Sequence, residues 1–209
     1  MALAAVLALC GLLALAAWGV FPRPPAPGWQ EFTASLGARN AVAAVVLGSR
    51  LLDTLLEVLV FATAMVGVRI GLRPFARAAR PPAIPESHLL LRAADVLMGP
   101  IVVFSLYLAA SGHLGPGGGF PAGAVLGTGL LLFVLAKGAG RLAHELHEPG
   151  LERLEYGAVA LLVAAGGGLA LAGRHGAGLL VVMNLLIGLE VAIGAWVVLH
   201  YFAVHRGEV

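Results

Sequence analysis

Apolar residues run along this chain in blocks of about twenty, and the stretches between them gather the prolines, glycines and charges. A helix rising 1.5 Å per residue needs roughly 20 residues to cross a hydrocarbon core of about 30 Å, so blocks of this length predict membrane-spanning helices. Six are expected. Residues 2–21 form the first: no basic start precedes the run, and it exceeds the apolar core of a usual signal peptide. Residues 22–38, rich in proline, read as a stiff external loop. The next block, residues 40–70, is too long for one crossing and predicts a short re-entrant or interfacial helix, then a span from about residue 51. The third span covers residues 89–110, with Gly99 and Pro100 predicting a kink near its middle. A glycine-rich turn at 112–119 leads into the fourth, which ends near Lys137. The polar stretch GRLAHELHEPGLERLE precedes a fifth, ending near Gly173, and residues 178–203 form the sixth. The fold class is all-α, an integral protein of the cell membrane.

Charge sets the orientation. With six spans both termini share a side, and placing them in the cytoplasm puts Arg69, Arg73, Arg77, Arg80, Arg92, Lys137, Arg141, Arg153 and Arg206 inside. That leaves Arg23, Arg39 and Arg174 outside, the asymmetry of the positive-inside rule. The linker of arginines and prolines ending at Pro82 divides two segments, residues 1–85 with two spans and 86–209 with four. Composition agrees: 60% of the 209 residues are hydrophobic and 11% charged, and a net charge of +2 gives no nucleic-acid surface. The single cysteine, Cys10, excludes an internal disulfide.

The chemistry on offer is ionic. Arg50, Asp53, Thr54 and Glu57 are spaced by three and four, one face of a helix. A charged side chain at mid-bilayer costs about 2.5–3.5 kcal/mol, so these three charges require protein or a wet cavity beside them. Two carboxyls and an arginine there can exchange a proton or offer oxygens to a hard cation, or can lock helices together. Glu190 lies in the apolar run VVMNLLIGLEVAIG with no charge within a turn, and is the best single candidate for a buried functional carboxyl. His113 opens the turn HLGPGGGF, where a histidine can relay protons or serve as a turn residue. Gly119, Gly123 and Gly127 continue at the small-xxx-small spacing that lets helices approach closely. Asp95 has Arg92 one turn away as an expected ion-pair partner, Lys137 is explained by snorkelling, and Glu155 is placed to face a partner. His144 and His147 are three apart, not the four of a zinc-protease motif. No P-loop, dinucleotide fingerprint or nucleophile elbow is present, so neither a catalytic centre nor a cofactor or metal site is expected.

The segment YLAASGHLGPGGGFPAG (107–123) resembles the G-H-x-x-P-G-G-G-F-x-x-G stretch of the B-type subunit in Mrp-type multisubunit sodium/proton antiporters, and NLLIGLEVAIG (184–194) is similar to the last helix of that protein. Together these cover residues 86–209. The pattern of asparagine followed by R-x-x-D-T-x-x-E in NAVAAVVLGSRLLDTLLEV (40–58) resembles the small domain that ends the large A-type antiporter subunit, a domain that stands alone in related membrane-bound hydrogenases. The resemblance implies a fusion of two such proteins, working with other membrane subunits of an antiporter complex that exchanges Na+ for H+, alone or with a redox module. Arg50, Asp53, Thr54 and Glu57 match the first motif; His113, Pro116, Gly117, Gly118, Gly119 and Phe120 match the second. Position 190 departs from the family, many of whose members carry lysine there. Two functions follow: an ion path at subunit interfaces that uses Asp53, Glu57 and Glu190, or a structural connector that moves nothing. A self-sufficient small transporter is a third reading.

Overall fold

The computed structural model describes residues 28–78, 87–137, 148–172 and 176–205, and among them all regular structure is helical. The elements are α1 (Trp29–Ser35), α2 (Ala41–Ala44) running into a π-helical turn (Val45–Ser49), α3 (Leu51–Ala78), α4 (His88–Ser111), α5 (Gly119–Lys137), α6 (Glu148–Leu171) and α7 (Ala177–His205). The expected first span and the His144/His147 pair lie outside the described residues.

Residues 29–35, expected as loop, are helical instead. Leu36 is buried, Phe32 packs on the same core, and Gly37 at φ +67° stops the helix. The Gly37 and Ala38 amides turn back to donate to the Ala34 and Thr33 carbonyls, a helix end that favours glycine at this left-handed position. The long block after Asn40 is broken where the sequence predicts. Arg50 leaves helical geometry at φ −111°, ψ 25°. The buried Thr54 hydroxyl donates to the Val46 carbonyl at 2.7 Å, satisfying an acceptor that the wider π turn leaves without its usual partner. α3 then runs to Ala78, and α4 is continuous through Pro100.

α3, α4, α5 and α7 each contain an apolar stretch of 19 to 24 residues, long enough to cross a bilayer. The chain is a multi-pass protein of the cell membrane. Side-chain contacts fix how the helices run. Gly119, Gly123 and Gly127 of α5 meet Ile187, Val191 and Ala195 of α7, so these two helices are parallel. Gly166 of α6 meets both Leu55 of α3 and Met183 of α7, while Gly194 meets Phe61 and Met65. Hence α3 also runs parallel to α7. α4 is antiparallel to α5, because Gly129 meets Ile101 and the Ser105 hydroxyl donates to the Ala122 carbonyl at 2.8 Å. The 24-residue α6 is antiparallel to α3, since Gly166 lies by Leu55 and Glu155 by Arg69, and it returns the chain between α5 and α7.

α7 is the hub. It packs on α3, α4, α5 and α6, and 61% of its apolar window is buried, against 11% for α4. The main core joins Leu36, Leu47, Leu51, Leu55 and Leu162 to Leu180, Met183 and Ile187 of α7. A second core at the other end sets Val134 against Trp196 and Val197. α4 turns Leu89, Val96, Val103, Phe104 and Tyr107 outward, the apolar surface a lipid-facing helix needs.

Candidate functional site

Both sequence motifs come to one end of the bundle. The Asn40 amide donates to the carbonyls of Gly112 and Gly115, each at 2.8 Å, and the Arg39 and Asn40 backbone amides both donate to the His113 carbonyl. From the other side Asn184 of α7 accepts from the Gly119 amide at 2.9 Å. Two asparagines 144 positions apart thus clamp the glycine turn. The turn is compact for a steric reason: a Cβ on Gly117 would lie 2.6 Å from the Leu108 carbonyl oxygen, and Gly118 holds φ +127°. Pro116 is on the outside, Phe120 packs on the main core, and the His113 Nδ1 is buried with no hydrogen-bond partner among the described residues. The clamp holds the turn through its backbone groups.

The glycine stripe that follows lies directly on α7. A Cβ on Gly119 would lie 2.6 Å from the Asn184 carbonyl oxygen and from the Ile187 Cβ, and one on Gly127 would lie 2.5 Å from the Ala195 Cβ. The backbones can approach this closely because no side chain separates them on the glycine side.

Arg50, Asp53 and Glu57 lie at the same end but face outward. Arg50 Nε donates to Asp53 Oδ2 at 2.7 Å, with 68% and 58% of the two side chains exposed, and Glu57 is exposed one turn further into α3. None of the three joins Glu190, and among the described residues no helix of this chain covers them. Thr54, grouped with them in sequence, points inward to Val46.

The buried polar centre is elsewhere. Arg69 of α3 is 3% exposed and Glu155 of α6 is fully enclosed; Arg69 Nη2 donates to Glu155 Oε2, and Nη1 donates to the Tyr156 hydroxyl at 3.2 Å. The guanidinium also lies 5.9 Å from the centre of the Tyr156 ring. Glu190 of α7 is likewise fully enclosed. Removing one partner of such a buried pair typically costs about 3–5 kcal/mol, because a charge is left in a poor solvent. Arg69, expected among the arginines that flank spans, turns inward instead. Its pairing with a residue 86 positions away has no local signature.

Asp95 also departs from expectation. It pairs with Lys137 across α4 and α5 at 3.2 Å, not with Arg92. Lys137 in turn stands over the Phe133 ring at 4.2 Å. Among the described residues no group of three or more His, Cys, Asp and Glu is placed to hold a metal ion.

A parallel trio of helices, a returning α6 and membrane-length apolar stretches define a multi-pass helical membrane protein. Residues 89–197, more than half of the chain, match the family described as "Domain related to MnhB subunit of Na+/H+ antiporter", and the chain belongs to that family. Among solved structures, one chain of an archaeal respiratory membrane complex, the membrane-bound sulfane sulfur reductase, is similar at 27% identity and a TM-score of 0.69. The likeness covers 96% of this chain and 98% of that one, so the segment before the family match also has its counterpart there. No curated protein sequence matches the chain.

Proposed function

We propose that this chain is a membrane subunit of an Mrp-like cation/proton antiporter module within a larger respiratory-type complex, exchanging Na+ for H+. Asp53 and Glu57 contribute to an ion path where a neighbouring protein of the complex meets α3. The observation that carries this reading is the outward face of α3. Arg50 immediately before it and Asp53 and Glu57 in its first two turns have no cover from the described residues of this chain, and charges on a membrane helix need water or protein beside them. Family membership and the likeness to a respiratory complex support a multisubunit setting. Glu190, enclosed by the chain's own helices, is the candidate that needs no neighbour.

In the same reading residues 1–85 derive from the end of the large A-type antiporter protein and 86–209 from the B-type one. Six crossings then put both termini in the cytoplasm, on the side where α3 ends and α4 begins. The alternation of helix direction from α3 to α7 supports that arrangement.

The Arg50–Asp53 ion pair also favours a second reading, a connector that joins an antiporter module to a redox module and conducts nothing. Asp53→Asn and Glu57→Gln in the assembled complex separate the two. With assembly intact, loss of sodium-dependent proton movement supports the path; transport at the wild-type rate supports the connector.

A further inference from the structure

Both side-chain oxygens of Glu190 are buried, and among the described residues neither has a hydrogen-bond donor. A carboxyl in water is never so placed. Glu190 stands roughly 20 Å along α7 from its start at Ala177, well inside a hydrocarbon core about 30 Å thick. The other buried charged groups among the described residues are Glu155 of α6 and Arg69 of α3, which are engaged with each other. The Tyr156 hydroxyl of α6 accepts from Arg69. Of the charged and titratable groups on α4 and α5, Asp95 and Lys137 pair together, and His88 and Arg92 are exposed. Glu57 of α3 is on the outer face.

Among the described residues the buried charged side chains are therefore Arg69, Glu155 and Glu190. Arg69 pairs with Glu155, whereas an ionised Glu190 would have no hydrogen-bond donor among the described residues. A hard cation takes about six or more oxygen ligands, and Glu190 alone brings two. A proton requires one oxygen. The levels of the groups also matter: Gly194 meets Met65, Glu190 lies one turn before Gly194, and Arg69 one turn after Met65. Glu190 is thus set about two turns from Arg69 toward the end that bears Asp53, between the exposed carboxyls and the buried pair.

We propose that Glu190 is an internal proton-binding site of this chain, loaded with one exchangeable proton. The proton resides on a Glu190 carboxyl oxygen and leaves as a hydrated proton toward either end; no other bond forms or breaks. The site rests on the burial of Glu190 within the bundle and not on transport, so it stands or falls apart from the role given to Asp53 and Glu57.

The test is infrared spectroscopy of the full chain in lipid nanodiscs. Wild type is expected to show the carbonyl stretch of a protonated carboxyl in an apolar setting, shifted by 13C-glutamate labelling and lost reversibly as pH is raised while the chain stays folded. Glu190→Gln is expected to abolish the band, and Glu155→Gln to retain it at low pH. The isotope label leaves packing untouched, so it reads the site even where a variant folds poorly. No glutamate band in wild type, a band that survives Glu190→Gln, or a band displaced by sodium at constant pH overturns the proposal.

Discussion

Gly123→Ala adds a single methyl group where α5 meets α7, and the surroundings fix its consequence. The new carbon would lie 2.5 Å from the Val191 Cβ, 2.6 Å from the Gly188 carbonyl oxygen and 2.9 Å from the Val191 Cγ1. Carbon atoms in contact prefer about 3.5–4.0 Å, so the shortfall is on the order of 1 Å. Turning the Val191 side chain relieves the contact with its Cγ1 but not those with its Cβ or with the Gly188 carbonyl, which move only with the helix. α7 must therefore retreat along a seam that runs from Gly119 to Gly127. Overpacking of this kind costs about 1–3 kcal/mol, against at most about 1 kcal/mol returned by alanine's higher helix propensity. A net loss of about 1–2 kcal/mol is expected. Gly167→Ala on α6 is the matched control: nothing lies within 4 Å of its new carbon, so the propensity gain stands alone and the sign reverses. Unfolding of the full chain by SDS in mixed micelles, followed by the fluorescence of the buried Trp196, measures both. A Gly123→Ala chain as stable as wild type would refute the close packing of α5 on α7.

Three further outcomes follow from the same contacts. Arg69→Leu is expected to destabilise the chain by about 3–5 kcal/mol in that assay, whereas Arg69→Leu with Glu155→Leu recovers most of the loss; a double variant as weak as the single one contradicts a buried ion pair. Asn184→Ala removes the acceptor for the Gly119 amide and is expected to cost about 1–3 kcal/mol, with faster hydrogen exchange across residues 112–119; unchanged protection there argues against the clamp. Asp53→Asn and Glu57→Gln leave the isolated chain within about 0.5 kcal/mol of wild type, as outward positions do, so a large loss of stability would mean that these carboxyls are packed.

Helix limits were legible because lipid imposes a length. The third span, read as 89–110, is observed as His88–Ser111, and the fourth ends at Lys137 as expected. The interruption before residue 51 was legible too, since the 31 residues from 40 to 70 exceed one crossing. What escaped was pairing across helices. Glu190 was visible as a lone acid in an apolar run, but the buried Arg69–Glu155 pair was not, since Arg69 reads as one of the arginines flanking a span and Glu155 as facing a partner. Asp95 was matched with Arg92 by local spacing, when Lys137 from the adjacent helix reaches it instead. Asn40 and Asn184 stand within two of the three resembling segments, yet nothing local says that their amides hold the same turn. Hydropathy encodes depth in the membrane; it carries no record of which faces meet.

α7 supplies the central surface for four other helices, and it is also the last of the described elements to emerge from a ribosome. Until it enters the bilayer, the glycine seam of α5 has no counterpart and the 112–119 turn lacks its second asparagine. Newly made α3 to α6 are thus a loose bundle, and a single late insertion consolidates them. Truncation before residue 177 leaves two helix pairs, α4 with α5 and α3 with α6, without the element that joins them, a natural mark for quality-control proteolysis.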